Sequence, residues 1–404
     1  MHDHRKLGRD LELFHSDPLV GAGLPIWLPA GAAARHAVEE YIREEERLAG
    51  YRHVYSPPMA KREMYVRSGH LAKFGEDMFP PMADDHDDDS ALMLRPSMCP
   101  HHAMVFAARG RSYRELPLRV AELGGQYRAE RSGVLGGLSR VRAISLNDAH
   151  VFCRVDQVGA EVAAMLELIG KAHKALGFAA DDFRLSLRGE KFLGEPEVWD
   201  EAEGMLRDAL VAAGVPFFEA PGEAAFYGPK IDIQIRDVHD REWSLATIQV
   251  DFAQPERFDL AYVDSDGVKR RPVMVHRSII GSLERLFAHL IEVHQGAFPA
   301  WYAPVQLAVV PIGDEQLDAA HALADAALRQ GLRVEVLADG SLGSRVREAA
   351  QRKIPYAGVI GAREAASGHV ALRLRDGRPL DPMPAAQALA LIGRVVADRS
   401  ASLV

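Results

Sequence analysis

Residues 124–153 read GGQYRAERSGVLGGLSRVRAISLNDAHVFC, and no other stretch so restricts what the chain can fold into. Around 126–130 and again around 141–145, polar and apolar residues alternate with a period of two, the mark of a half-buried strand. A glycine-rich turn, GVLGG, joins the two runs, so a long antiparallel hairpin is expected. Arg128, Arg131, Arg140 and Arg142 ride on it, together with one inward-reading acid, Glu130. Guanidinium groups stay ionised and offer planar paired donors, so arginines spaced along a hairpin can grip a chain of phosphates. Glu130 would then be free to accept from an amino group. The same residues also describe a charged hairpin facing solvent, and spacing alone leaves both readings open.

Composition matters where charge and cysteine enter. The chain has 404 residues, 48% of them hydrophobic, enough for the cores of two or three domains. Lys and Arg number 48 against 57 Asp and Glu, a net charge of −9, which argues against a nonspecific nucleic-acid coat and a polybasic membrane anchor. A specific RNA partner stays compatible, because local patches outweigh the sum. No run approaches the ~18 apolar residues of a membrane span, and the opening MHDHRKLGRD has no apolar signal core. A cytoplasmic protein with no membrane association is expected. Two cysteines, Cys99 and Cys153, are too few for a disulfide framework and fit a reducing compartment.

Residues 1–30 read as an irregular lead-in, with His2 and His4 in a flexible terminus. Ala34, Val38, Tyr41, Ile42 and Leu48 recur at helical spacing and predict a helix over 33–48 that Gly50 stops. RHVYSPPM, at 52–59, reads as a strand closed by Pro57 and Pro58, which suits an edge or an interface. The acidic run DDHDDD at 84–89 lacks the spacing and glycine of a calcium loop and reads as a solvated insertion. Helices are predicted over 155–176, 197–213 and 278–294, the last carrying Arg285, with successive strands at 183–187, 217, 226–235 and 241–252. Strands that follow one another through short turns indicate an antiparallel sheet with helices outside. After 299–304 the rhythm becomes βαβ: strands at 305–310, 334–337 and 356–360 alternate with helices at 315–329 and 344–352. A strand near 370–374 and a helix over 384–398 complete an α+β chain divided into 1–300 and 301–404.

Walker and Rossmann phosphate motifs are missing, so any phosphate grip must come from arginines on a sheet. GQYRAE with Arg128 and Glu130, GSLER with Arg285, and the Pro58 segment resemble motifs two, three and one of class II aminoacyl-tRNA synthetases. More narrowly, RPSMCPHH, LNDAHVFC, FYGPKIDI, TIQVDF and VMVHRSIIGSLERLF resemble the threonyl-tRNA synthetase family, from about Asp10 to the C-terminus. The resemblance implies a class II antiparallel sheet flanked by helices as the catalytic domain over 1–300. It implies an α/β anticodon-binding domain over 301–404, through RKIPY and RLRDGR, although Asp376 stands where a second arginine is common. The activity implied is ATP-dependent activation of threonine as the adenylate and transfer to the 3′ end of tRNA(Thr), by a homodimer joined near Pro58.

By spacing alone, Cys99, His150 and His276 are a buried thiol and two satisfied histidines. The resemblance instead places each on one of the family's Zn²⁺ ligands. One thiolate and two imidazoles suit Zn²⁺ and leave a position open, where an amine and a β-hydroxyl can bind, valine cannot, and serine leaks through. The same carry-over gives Arg128 the α-phosphate and the carboxylate, Glu130 the adenine amino group, Arg140 and Arg285 the outer phosphates with Mg²⁺, and Gln249 the ribose. Tyr227 and Lys230 fall on the amino-acid and α-phosphate site, and Asp148 on an acceptor for the substrate amine or hydroxyl. His70 matches a histidine that assists the ribose hydroxyl in transfer. Ser97, His101, Leu146, Asn147 and Ala246 depart from the family's usual methionine, glycine, glutamine, aspartate and glycine. Ser97, Leu146 and Gln249 are assigned to the amino-acid site with Asp148 and Tyr227, and His101 is expected close by. The chain begins near the catalytic core, without the editing module many relatives carry, which implies mischarged serine unless a trans-editing factor clears it. Two rivals remain. One is a paralogue adenylating threonine or another β-hydroxy amino acid for a non-standard acceptor, a biosynthetic pathway or inhibitor resistance. The other is a catalytically silent amino-acid or RNA sensor, which would have no need of the full set Arg128, Glu130, Arg140, Gln249 and Arg285.

Overall fold

The computed structural model describes residues 2–82, 91–190 and 192–404; the acidic run at 84–89 lies outside them. Strands β1 (Arg52–His53), β2 (Leu118–Tyr127), β3 (Ala143–Cys153), β4 (Asp182–Leu187), β5 (Phe218–Pro221), β6 (Lys230–Arg236), β7 (Glu242–Asp251) and β8 (Val273–Ser278) make one sheet. Their spatial order is β1-β2-β3-β8-β7-β6-β4-β5. All inner pairs are antiparallel, and only the outermost pairs, β1 with β2 and β4 with β5, are parallel.

Period-two alternation sorts these strands into two faces. On β3, Ala149, Val151 and Cys153 are wholly buried; with Val273 and Val275 of β8, Ile248 and Val250 of β7 and Ile231 and Ile233 of β6 they build the main core. Helices α1 (His4–Asp10), α2 (Pro29–Leu48), α3 (Cys99–Ala107), α4 (Val158–Leu176), α5 (Pro196–Ala212) and α6 (Leu283–His294) flank the sheet. On α4, Val158, Val162, Met165, Ile169, Ala172 and Leu176 are buried on one stripe, and Gly177, at φ +88°, ends the helix. Each large aliphatic side chain so buried contributes about 1.5–3 kcal/mol. The other face of the sheet is left for polar side chains.

The structure corrects several expectations. The lead-in contains α1, and His4 is buried, not part of a flexible terminus. The strand expected over 52–59 is interrupted: β1 ends at His53, and Met59–Lys61 pairs instead with Leu92–Leu94, because Pro57 and Pro58 between them bring no N–H to a ladder. The helix expected over 278–294 starts only at Leu283. Ser278 still belongs to β8, and Ser282 caps the helix by accepting from the Arg285 N–H. Residues 226–229 are a loop, not strand: Gly228 lies so near β7 that a Cβ there would sit 1.9 Å from the Val250 carbonyl oxygen.

The C-terminal unit holds β9 (Leu307–Pro311), α7 (Leu317–Arg329), β10 (Val334–Val336), α8 (Leu342–Gln351), β11 (Tyr356–Ile360), β12 (His369–Leu374), β13 (Met383–Pro384) and α9 (Ala385–Ala397). Its sheet runs β10-β9-β11-β12-β13, parallel through the first three strands and antiparallel after them. A short helix at Ala362–Ser367 had no clear apolar period to announce it. Trp301 and Tyr302 tie the units together, donating to the carbonyls of Ala175 and Leu176 at 3.0 and 2.9 Å. No helix among the described residues is long and apolar enough to cross a membrane.

Candidate active site

The polar face of the sheet floors a cleft of about 390 Å³. Strand register explains its chemistry. His150 on β3 pairs with His276 on β8, His276 with Gln249 on β7, and Gln249 with Lys230 on β6. Residues directly opposite in an antiparallel ladder share a face, so four polar side chains from four strands form one row across the sheet. A second row, two residues along, contains Asp148, Thr247 and Asp232. Cys99, at the start of α3, overlies the first row.

Cys99, His150 and His276 bring their ligating atoms within 4.8 Å of one another, all buried. His150 Nε2 and His276 Nδ1 are 3.0 Å apart, and Ser97 Oγ lies 2.6 Å from Cys99 Sγ. Each imidazole is anchored on its far side. His276 Nε2 sits 2.8 Å from Asp251 Oδ2. His150 Nδ1 meets His102 Nδ1 at 2.7 Å, and His102 Nε2 meets Glu122 Oε2 at 3.1 Å. Glu122 is held in turn by Arg95 and by Ser56, whose hydroxyl donates at 2.6 Å. Burial, then the neighbouring His276 and His102, hold His150 well below the ordinary imidazole range, so it keeps a lone pair to donate. Buried imidazoles anchored through carboxylates are what a metal centre needs to fix ring orientation.

Arg128, Glu130, Arg140 and Arg285 gather at the other end of the cleft. Glu130 is not free, contrary to expectation: Arg140 Nη2 pairs with its Oε2 at 2.9 Å. Arg285 donates to the carbonyls of Ser139 and Ser244 and stacks over Trp243 at 5.2 Å. Burial, then the like charges of Arg128 and Arg140, push Arg285 down to about 10. Three mutually repelling guanidinium groups, with Arg285 half-buried, make a site that gains by taking up an anion.

The remaining candidates divide. Ser97, Leu146, Asp148, Tyr227, Lys230 and Gln249 all line the cleft. Burial raises Asp148, and it pushes the Tyr227 phenol well up, with Cys99 adding to the shift, so Tyr227 stays a donor. Lys230 is paired rather than loose, its Nζ 2.9 Å from Asp232. His70 stands just outside the lining, its ring 6.4 Å from that of Tyr227. Its Nδ1 bonds Ser68 Oγ at 2.8 Å, and burial first, then His276 and Arg128, hold it at about 4, hence neutral. His101 is a correction: it is buried beside Arg95 and Met59, not in the cleft, and burial followed by Arg95 lowers it to about 4. Asn147 also faces away, donating to Glu46 Oε1 at 2.8 Å beside the buried Arg277–Glu46 pair, and Ala246 lies in the core.

Asp232, Asp251, His102 and Glu122 were not singled out from the sequence. Parity could have found Asp232, two residues from Lys230 on the same face. His102 and Glu122 carry no such signal, since only the fold sets them behind His150.

A phosphate-seeking arginine cleft on an antiparallel sheet, with an α/β unit behind it, defines a class II aminoacyl-tRNA synthetase. The family described as the tRNA synthetase class II core domain (G, H, P, S and T) matches residues 82–294, and the anticodon binding domain matches 306–394. The threonine--tRNA ligase of Listeria monocytogenes is 46% identical over 404 residues, spanning 98% of this chain and 62% of that relative. That of a Geobacillus species is 47% identical over 377 residues, 92% of this chain and 58% of its own. The chain thus spans about three-fifths of the curated relatives' length. A solved structure described as the RNA binding domain of threonyl-tRNA synthetase from Cryptosporidium parvum superposes with a TM-score of 0.93 at 35% identity, covering 98% of both chains. The chain belongs to the threonyl-tRNA synthetase family.

Proposed function

We propose that the chain activates threonine with ATP and transfers it to the 3′ end of tRNA(Thr), with residues 1–300 as the catalytic unit and 301–404 as the anticodon-binding unit. The observation that carries this reading is the row His150, His276, Gln249 and Lys230 beneath Cys99, which sets a thiol and two imidazoles against an arginine-lined cleft. The name its relatives bear, threonine--tRNA ligase, agrees with it.

The donor set fits Zn²⁺, one soft thiolate and two anchored imidazoles with the fourth side open to the cleft. When bound, Zn²⁺ supplies a Lewis-acidic position for an amine and a β-hydroxyl, which valine cannot fill and serine can. Asp148 accepts from the same groups, and Tyr227 donates from its protonated phenol. Arg128 and Lys230 orient the carboxylate and the α-phosphate. The carboxylate oxygen attacks the α-phosphorus in line, a new P–O bond forms, the bond to the oxygen bridging to the β-phosphate breaks, and pyrophosphate leaves with its charge held by Arg140 and Arg285; Mg²⁺, when bound with the phosphates, would add further neutralising charge. Outer phosphates draw Arg140 off Glu130, and the freed carboxylate accepts from the adenine amino group, while Gln249 meets the ribose. In the second step the neutral His70 takes the proton from the tRNA ribose hydroxyl as that oxygen attacks the adenylate carbonyl, an ester bond forms, the bond from that carbonyl to the phosphate oxygen breaks, and AMP leaves.

Exposed apolar side chains near the Pro58 segment, Tyr55, Met59, Met82 and Leu92, support a homodimer through this face. ATP–pyrophosphate exchange with threonine, serine, valine and other β-hydroxy amino acids, followed by charging of tRNA(Thr), tests the reading. Threonine-dependent exchange with charging is expected; no exchange with any amino acid refutes it. Leu146, an aliphatic side chain two residues from Asp148 in the cleft lining, favours one second reading, a paralogue with another β-hydroxy substrate or acceptor, which would give exchange without charging.

A further inference from the structure

We propose that His4 is a positioning residue for the nucleotide cleft: its imidazole latches the turn between β2 and β3 onto α6, and so fixes where Arg140 points. The inference rests on the nucleotide reading of that cleft. His4 is only 4% exposed. Its backbone N–H and its Nδ1–H donate to Glu292 Oε1 on α6 at 3.1 and 2.7 Å, and its Nε2 accepts the backbone N–H of Leu138 at 3.2 Å. A backbone N–H can only donate, so Nε2 must be bare and the proton must sit on Nδ1, where Glu292 needs it. Both ring nitrogens are therefore committed, one to each element.

The turn is shaped to receive this ring. Gly137 has φ +56°, and a Cβ on it would lie 2.4 Å from His4 Nε2, so both backbone conformation and the approach of the imidazole demand glycine. Leu138, next in the chain, is wholly buried. Ser139, next again, gives its carbonyl to Arg285 Nε at 3.2 Å. Because Arg285 and Glu292 lie on the same helix, α6 grips the turn twice, once through Arg285 and once through His4. Arg140 follows immediately. The lead-in also holds the returning leg: Gly23 accepts from the Arg142 N–H at 2.8 Å, and Arg142 Nε donates to the Glu130 carbonyl at 2.9 Å. Residues 4–23 thus clamp the segment bearing Glu130 and Arg140 from two sides, although they contribute no side chain to the cleft lining.

His4→Phe keeps an aromatic ring against Phe14 while deleting both ring hydrogen bonds, and amide exchange together with steady-state kinetics reads the result. We expect the Leu138 and Ser139 amides to exchange at least about tenfold faster and the KM for ATP to rise about tenfold, with the KM for threonine within about twofold of wild type. Gly137→Ala, which drives a Cβ into the latch from the other side, is expected to show the same ATP-selective loss should His4→Phe fold poorly. Unchanged exchange at Leu138, or faster exchange with an unchanged KM for ATP, overturns the proposal. A parallel rise in both KM values also overturns it, since that marks general loosening. Wild-type protein whose turn amides gain no protection from ATP would refute the nucleotide reading itself, and this proposal with it.

Discussion

Replacing Asp251 by asparagine tests the metal reading through the position of one proton. Asp251 is wholly buried at the end of β7. Its Oδ2 lies 2.8 Å from His276 Nε2, while its Oδ1 accepts the backbone N–H groups of Ala253 and Gln254. Against the pull of burial, Asp251 and Cys99 raise His276 to about 10, so it must shed a proton to bind a metal; a carboxylate only accepts, so the proton it keeps sits on Nε2, and Nδ1, facing His150, is the nitrogen laid bare. Asparagine can preserve the Oδ1 contacts, but it then turns an N–H toward Nε2. The ring is driven to the other tautomer, and the nitrogen aimed at Cys99 and His150 becomes protonated. Partners of this kind contribute about 10–100-fold in metal affinity, or about 1.4–2.7 kcal/mol. Competition for Zn²⁺ between the protein and a chromogenic chelator reads that loss directly, and urea unfolding of the metal-free proteins separates it from damage to the fold. Zinc affinity within about twofold of wild type in a folded Asp251→Asn protein would refute the tautomer argument.

Other perturbations probe the surrounding structure. Glu46 is wholly buried and accepts from Arg277, Asn147 and His53 at 2.7–2.8 Å; Glu46→Ala strands Arg277 and should cost about 3–5 kcal/mol by urea unfolding, whereas Glu46→Leu with Arg277→Met should recover most of it. Asp232, wholly buried, accepts from Ser186, Lys230 and Arg184 at 2.7, 2.9 and 3.2 Å. Asp232→Asn should lower kcat/KM about 10–100-fold in the exchange assay by loosening Lys230, a loss of about 1.4–2.7 kcal/mol. Burial holds His173 and His289 at about 4, below the ~6.5 of an unfolded histidine. Between those values the unfolded chain binds more protons, so stability should be fully present above about pH 6.5 and decline as pH falls toward 4, seen as a falling urea midpoint. His289 Nε2 is buried without a partner, and the ring packs edge-on to Phe178 at 4.8 Å. His289→Phe should therefore raise stability at pH 7 by about 1 kcal/mol, read as a higher urea midpoint, and flatten the acid decline; a lower midpoint would count against this account.

Much of the sheet was written in local patterns. The alternating runs at 126–130 and 141–145 announced the hairpin but misplaced its ends: β2 stops at Tyr127 and β3 starts at Ala143, so Arg128, Glu130, Arg140 and Arg142 lie in the connection, and the longer part of each strand went unannounced. Patterns failed where one residue answers to a distant neighbour. Local turn logic could not show that Gly228 must press against Val250, nor could any period reveal that His4 meets Glu292, far along the chain.

The amino-acid order by itself announced β4, β6 and β7, the apolar stripes of the long helices and the change of rhythm after residue 299, because these depend on periodicities of two and 3.6 that neighbours in sequence can satisfy, whereas β8 was not announced. Only tertiary structure decided that Cys99, His150 and His276 share a point, that Arg140 rests on Glu130, that Leu146 enters the cleft while His101 does not, and that His102 and Asp251 stand behind the imidazoles. Those outcomes depend on strand register and on how helices cover the sheet. Both are set by burying the whole apolar face at once, a condition that no short stretch of chain contains.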